Sequence, residues 1–271
     1  MHLTLVLILP LLGFSPAQGR SVKVFIQEKT DNGIENEDPS VTSIIERANK
    51  NARQAPDEPR VMFGDIAMYT GFQNADPCTS RGCKWRKRRN RKVYVPYVIS
   101  NQYSSQEISV IKKALKSFAR STCIRFRPRR RQRDYIHIQS RSGCYSFVGR
   151  RGGEQVVSLN RRGCIYHGVI QHELLHALGF NHEQTRSDRD RHVRILYQNI
   201  IPGREPNFRK IRTNNLHTPY DYSSVMHYGK YAFSRNRQPT IIPIPDPNVA
   251  IGRATKMSRM DILRIKRLYC R

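Results

Sequence analysis

Residues 171–182 read Gln171-His172-Glu173-Leu174-Leu175-His176-Ala177-Leu178-Gly179-Phe180-Asn181-His182. On a helix, residues four apart share a face, so His172 and His176 can present imidazole nitrogens to one metal ion. Gly179 lets the chain turn sharply out of the helix. That turn can bring His182 round as a third ligand, while Leu174, Leu175 and Leu178 anchor the helix in a core. Three protein ligands leave a coordination position open, the arrangement of a catalytic zinc and not of a structural one. Zinc lowers the pKa of a bound water to about 7 and polarises a carbonyl. Glu173, next to the first ligand, is placed to take the water's proton and pass it to a leaving amine. A buried helix with chance histidines is the competing reading. It explains a bare His-Glu-x-x-His but not five filled positions with separate physical jobs.

The surrounding sequence says where such a site would operate. Leu3 to Leu12 is apolar except for Thr4 and Pro10, too short to span a bilayer comfortably. Ala17 and Gly19 follow at signal-peptidase spacing, so residues 1–19 are expected to be a signal peptide. No later stretch is apolar enough for a membrane span. Six cysteines, at 78, 83, 123, 144, 164 and 270, fit an oxidising compartment and suggest three disulfides, in any of fifteen pairings. Secretion follows, with storage in zymogen granules as a further expectation.

Charge divides the 271 residues in two. Residues 1–73 hold seven Lys/Arg and nine Asp/Glu, a net of −2, whereas residues 74–271 hold 41 and 12, a net of +29. The basic runs are Lys84-Trp85-Arg86-Lys87-Arg88-Arg89 and Arg127-Pro128-Arg129-Arg130-Arg131. Such a body is drawn to polyanions. In a secreted chain these are acidic glycoproteins or matrix, and no nucleic-acid motif accompanies the runs. A solvated cationic face is the plainer alternative.

Residues 20–72 are polar, with one plausible helix at 40–52 whose stripe is Ile44, Ile45 and Ala48. This segment has too little apolar surface to fold alone and is expected to pack on something else. Beyond Cys78, residues 93–100 read as a strand, with Pro96 arguing for an edge or a bulge. Helical spacing of Ile108, Ile111, Ala114, Leu115 and Phe118 predicts a helix over 104–121. Strands are expected at 135–139 and 156–159 and the metal helix at 170–178. The mixture indicates an α+β domain.

The histidine motif continues through Glu183-Gln184-Thr185-Arg186-Ser187-Asp188-Arg189-Asp190, and Ser224-Val225-Met226-His227-Tyr228 places Met226 44 residues after His182. In these motifs the chain, from about Cys78 to Cys270, resembles the astacin family of metzincin metalloproteases. The resemblance implies a zincin-like domain over 74–271. Its first half would hold a mixed twisted sheet and the active-site helix, and its second half would be mostly irregular. Met226 would form an apolar floor beneath one Zn2+, and Tyr228 would be a switchable ligand that turns to stabilise the oxyanion. Glu183 would bind the new amino terminus of the mature enzyme. Arg186, Asp188 and Asp190 would support the site from outside. Family pairing implies Cys123–Cys270 and Cys144–Cys164, with Cys78–Cys83 as an additional pair. That six-cysteine arrangement resembles fish hatching enzymes, the proteases of the egg envelope.

The stretch Cys144-Tyr145-Ser146-Phe147-Val148-Gly149 would hold the sheet edge that pairs with extended substrate. In the leader, Met62-Phe63-Gly64-Asp65 resembles the family's aspartate switch, with Met62 where the family has Phe. Asp65 would replace the water at zinc, making residues 20–73 an inhibitory propeptide. No Lys or Arg lies between Asp65 and Arg81, so a trypsin-like cut just before Cys78 is excluded, and Asn74 is the expected mature start. The expected product is a monomeric secreted zinc endopeptidase acting on extracellular proteins, egg-envelope glycoproteins among them. A digestive, immune or brood-tissue protease and an inactive cationic binding protein are the alternatives.

Overall fold

The computed structural model describes residues 40–56, 58–68 and 82–271. The expected signal peptide, the Asn74 start and Cys78 lie outside them. The polar leader supplies helix α1 (Val41–Lys50) and strands β1 (Arg60–Met62) and β2 (Ile66–Met68). Ser40 caps α1 by accepting from the Ser43 N–H. Of the predicted stripe, Ile45 is buried, and Ile44 and Ala48 pack against the main core.

The larger region begins with β3 (Val93–Ile99), α2 (Ser105–Ser121), β4 (Ile124–Pro128) and β5 (Tyr135–Gln139). It continues with β6 (Cys144–Ser146), β7 (Glu154–Leu159) and α3 (His167–Ala177). Beyond α3 the chain is mostly irregular, broken by the antiparallel pair β8 (Val193–Ile195) and β9 (Ile241–Pro243) and by α4 (Arg259–Ile265). This is the α+β architecture read from the sequence. Among the described residues no helix is long and apolar enough to cross a membrane.

Seven strands form one mixed sheet in the order β1-β2-β6-β7-β5-β3-β4. Strands β4, β3, β5 and β7 run parallel, and β6 runs antiparallel to β7. Strand side chains alternate between faces. Val93, Val95, Ile124, Ile136, Ile138, Val157 and Leu159 all point to one of them and are buried. On that face lie Ile111, Ala114, Leu115 and Phe118 of α2 and Val169, Ile170 and Leu174 of α3. Helix α2 starts where Ser104 and Glu107 satisfy each other's backbone N–H groups in a capping box.

Two expectations need correction. Strand β3 is not at the sheet edge, because it pairs with both β4 and β5. Pro96 is tolerated there because pairing with β5 begins only at Tyr97, so no ladder bond to β5 is asked of it. Helix α3 starts at His167, three residues before the predicted Ile170, and its cap residue Tyr166 makes no side-chain bond. No polar capping residue marked that start.

Disulfides join Cys123 to Cys270 and Cys144 to Cys164. Cys83 is also disulfide-bonded, and its expected partner Cys78 lies outside the described residues. The Cys123–Cys270 bridge spans 147 residues and ties the chain beyond α4 to the start of β4. In the chain-entropy picture, replacing both cysteines by serine should lower unfolding free energy by about 2–5 kcal/mol. Denaturant titration of the double variant checks this.

Candidate metal centre

Every residue of α3 from Gly168 to Ala177 is buried, which places His172, Glu173 and His176 in the core. Gly179 sits at φ +99°, and its N–H bonds the His176 carbonyl while the Phe180 N–H bonds that of Leu175. This turn ends the helix and returns the chain, so that His182 faces the same space.

The Nε2 atoms of His172 and His182 each lie 3.0 Å from an oxygen of Asp65, and that of His176 lies 3.3 Å away. The His172 and His176 Nε2 atoms are 3.1 Å apart. Nitrogens bound to a tetrahedral zinc at about 2.0–2.1 Å stand about 3.3 Å from each other, so the spacing fits the ion. The other side of each helical ring is fixed by the backbone. His172 Nδ1 is 2.8 Å from the Val225 carbonyl and His176 Nδ1 is 2.7 Å from that of Phe180. A carbonyl can only accept, so each Nδ1 carries the proton and each Nε2 lone pair points at the site.

The electrostatics also ask for a cation. Burial pushes His182 down to about 4 and lowers His176, leaving both rings neutral at pH 7. For Asp65, burial works against the charge, but His182, His176 and His172 outweigh it and hold the carboxyl well below its usual range. These two tendencies conflict, since neutral rings cannot stabilise an anion as charged ones would. Burial, helped by the neighbouring imidazoles, outweighs Asp65 at both rings and keeps them neutral. A buried carboxylate among neutral imidazoles then needs a positive charge, which a divalent ion supplies. The donor set of Asp65, His172, His176 and His182 therefore fits zinc.

Glu173 is fully buried, with neither oxygen hydrogen-bonded among the described residues. Burial, then the charge of Asp65, raises its pKa well above the carboxylate range. The Tyr228 ring lies 4.6 Å from that of His182, centroid to centroid. Its hydroxyl donates to the Phe63 carbonyl at 2.7 Å. Met226 is buried beside α3 in the main core, and its carbonyl accepts from the Glu183 N–H. Glu183 itself is engaged by Arg264, Arg186 and the Asp221 N–H. Arg186 also pairs with Asp188 and bonds the Thr218 and Pro219 carbonyls. Asp190 pairs with Arg189 and Lys210. The amino terminus expected at Glu183 belongs to residues outside those described.

The leader enters the site through the turn between β1 and β2. Phe63 and Gly64 take positive φ there, and a Cβ on Gly64 would overlap the Tyr228 hydroxyl. Beyond the turn, Ile66 of β2 pairs in parallel with Ser146 of β6, and the Ser146 N–H bonds the Asp65 carbonyl. The expected substrate edge is thus covered by the leader.

Three residues that the sequence reading passed over complete the arrangement. Asn49 on α1 accepts from the Cys144 N–H at 2.8 Å and donates to the Cys144 and Gly64 carbonyls. Glu46 accepts from the Phe233 N–H at 2.7 Å. Asp261 on α4 accepts from Ser224 Oγ at 2.7 Å and from the Val225 N–H at 3.0 Å. It therefore steadies the peptide whose carbonyl orients His172. Polar residues on a helix carry no sequence signal for such long-range partners. The capping box of Ser258 and Asp261 was the one local clue.

A buried three-histidine site on a His-Glu-x-x-His helix beneath a mixed sheet defines a zinc metallopeptidase of the metzincin kind. Comparison with known proteins narrows the class. The profile of the peptidase family described as Astacin matches residues 82–270. The chain is 52% identical over 233 residues to high choriolytic enzyme 1 of Oryzias latipes, covering 85% of this chain and 84% of that one. It is 47% identical over 272 residues to the low choriolytic enzyme of the same fish, covering 97% and 96%. The solved structure of high choriolytic enzyme 1, a hatching enzyme zinc-protease, superposes with a TM-score of 0.70 at 56% identity, covering 73% of this chain and 100% of that one. The chain belongs to the astacin family and is a zinc metalloendopeptidase, similar to the fish choriolytic enzymes.

Because Asp261 acts on the Met226 turn and not on substrate, Asp261→Asn should weaken zinc binding by about 10-fold to 100-fold, the usual cost of disturbing a ligand's supporting bonds. Competition with a fluorescent chelator measures it.

Proposed function

We propose that the chain is the inactive precursor of a secreted endopeptidase that digests egg-envelope glycoproteins at hatching. One observation carries the precursor reading: the Asp65 carboxylate lies 3.0–3.3 Å from all three ligating nitrogens. No substrate group can approach the histidines while it stays. The turn is held on both sides, by Tyr228 at Phe63 and by Asn49 at Gly64. On this reading residues 20–73 are the propeptide and 74–271 the protease. The solved relative's whole chain matches 73% of this one, the share that residues 74–271 make up.

When bound at the three histidines, zinc supplies a Lewis acid that polarises a carbonyl and makes water a nucleophile near pH 7. The chain's own groups do the remaining work. His172, His176 and His182 would hold the ion, with the tautomers of His172 and His176 set by the Val225 and Phe180 carbonyls. Glu173, adjacent and with no hydrogen-bond partner among the described residues, takes the proton from the attacking water and returns it to the leaving amine. Departure of Asp65 removes one of the two causes that raise the Glu173 pKa, burial being the other. Tyr228 already donates to a peptide carbonyl beside the site, that of Phe63. The same phenol, kept neutral by burial, donates to the oxyanion that forms on a substrate carbonyl.

Secretion is supported by the apolar stretch 3–12 and the disulfides. The envelope substrate is supported by the choriolytic relatives and by the basic body. A protease of digestive, immune or brood tissue would share every feature of the site, and locating the transcript in hatching-gland cells separates these readings.

Glu173→Gln should keep its zinc while turnover falls by about 100-fold or more, as for loss of a general base. Metal analysis beside a peptidase assay decides it, and wild-type rates in the zinc-loaded variant would remove Glu173 from the mechanism. The Asp65→Ala precursor should cleave a small peptide before any processing. If it stays as silent as the native precursor, Asp65 is not the inhibitory contact.

A further inference from the structure

The second basic run lies along the face of the sheet turned away from α2 and α3, and Asn90, in the turn that carries the first run into β3, reaches the same face at Tyr94. Tyr94 pairs with Arg125 and Pro96 with Arg127 in the β3–β4 register. Val93, Val95 and Ile124 point into the core, so Tyr94, Arg125 and Arg127 stand on the outer face. The Arg127 guanidinium lies 4.2 Å above the Tyr94 ring, and Asn90, directly after the first run, donates to the hydroxyl of that same ring at 2.9 Å. Arg129 lies 3.8 Å above the Tyr135 ring. The tyrosines thus fix guanidinium planes that would otherwise move freely.

The first run is anchored as well. Trp85 is buried, and its indole donates to the Ala177 carbonyl at the end of α3. A turn follows, closed by the Arg88 N–H on the Lys92 carbonyl and the Arg91 N–H on the Arg88 carbonyl. Arg86, Arg88, Arg89, Arg91, Arg127 and Arg129 are exposed. Nearby acids are already taken: Asp134 pairs with Arg150, and Glu154 bonds Tyr135 and His137.

We propose that this outer face, with the Arg88 turn and the Arg127–Arg129 ladder as its two halves, is a binding surface for a sulfated polysaccharide chain. Three points select that partner. Fixed guanidinium forks match the oxygens of sulfate groups bidentately. The Tyr94 and Tyr135 rings are covered by arginines, so neither offers the bare face on which nucleic-acid bases stack. The disulfides place the protein where sulfated glycans occur and nucleic acids are rare. The face lies across the sheet from α3, so a bound chain leaves the zinc cleft open. Its use for holding the enzyme on a glycan-rich substrate rests on the extracellular protease reading, whereas the binding does not.

The test uses the full-length precursor with heparin as the sulfated probe, read by salt elution and by titration at about 0.15 M salt, where the Debye length is about 8 Å. One variant carries Arg88→Gln, Arg127→Gln and Arg129→Gln. The comparison variant carries Lys112→Gln, Lys113→Gln and Lys116→Gln on α2, which packs against the opposite face. Both lose three charges. The outer-face variant should bind heparin about tenfold more weakly and elute at lower salt, with the comparison variant close to native. Both should keep the native melting temperature and, after removal of the leader, native turnover of a small neutral peptide. Equal weakening in the two variants overturns the proposal in favour of net charge alone. Native heparin binding in the outer-face variant overturns it outright. Tighter binding of single-stranded DNA than of heparin of equal charge overturns the partner class. An inactive but heparin-binding native protein would instead count against the protease reading.

Discussion

A single buried negative charge organises this molecule. Asp65 has almost no contact with solvent and stands among three buried imidazoles, of which burial keeps His176 and His182 neutral. Such a group is tolerable only with a cation beside it. The fold therefore has to deliver four donor atoms to one point from three separate segments: the leader turn, α3 and the loop beyond Gly179. Much else in the structure serves that delivery. Helix α3 is buried around its whole circumference from Gly168 to Ala177, so its histidines are held from every side. The carbonyls of Phe180 and Val225 fix the tautomers, and Asp261 steadies the second of them through the Val225 N–H. The Cys123–Cys270 bridge then holds the chain end that follows α4.

The leader and the active site are complementary in backbone as well as in charge. Asn49 offers one acceptor and one donor to the N–H and C=O of Cys144, as a neighbouring strand would. Glu46 satisfies the Phe233 N–H, and Ile66 continues the sheet at β6. The contact between leader and site is thus distributed, with Asp65 the part that touches the histidines. Gly64 is required between them because its neighbour Tyr228 leaves no room for a side chain and its φ is positive.

How much of this was legible in the sequence follows from the range of the interactions. The strand at Tyr135–Gln139, the helix at Ser105–Ser121 and the clustering of His172, His176 and His182 are written in local periodicity and fixed spacing, and these were readable. Gly64 and Asp65 were visible through resemblance, although Met62 replaces the familiar Phe. Strand β4 was hidden because Arg125, Arg127 and Arg129 made it look like a charge run, while Ile124 and Phe126 alternate beneath them. The interior place of β3 was misread because Pro96 usually marks an edge. Asn49, Glu46 and Asp261 left no trace, since an amide or carboxylate on a helix looks the same whether it faces water or a backbone 95 residues away.

The covering of β6 has a consequence for how the protein can be kept before use. An open sheet edge is a template on which another chain can add its own strand, and the risk grows with concentration. With the leader in place that edge is closed by Ile66 and by the Asn49 side chain. On the precursor reading the leader is thus an aggregation guard as well as an inhibitor. On that reading, removing the leader opens the same edge for pairing with a foreign extended chain.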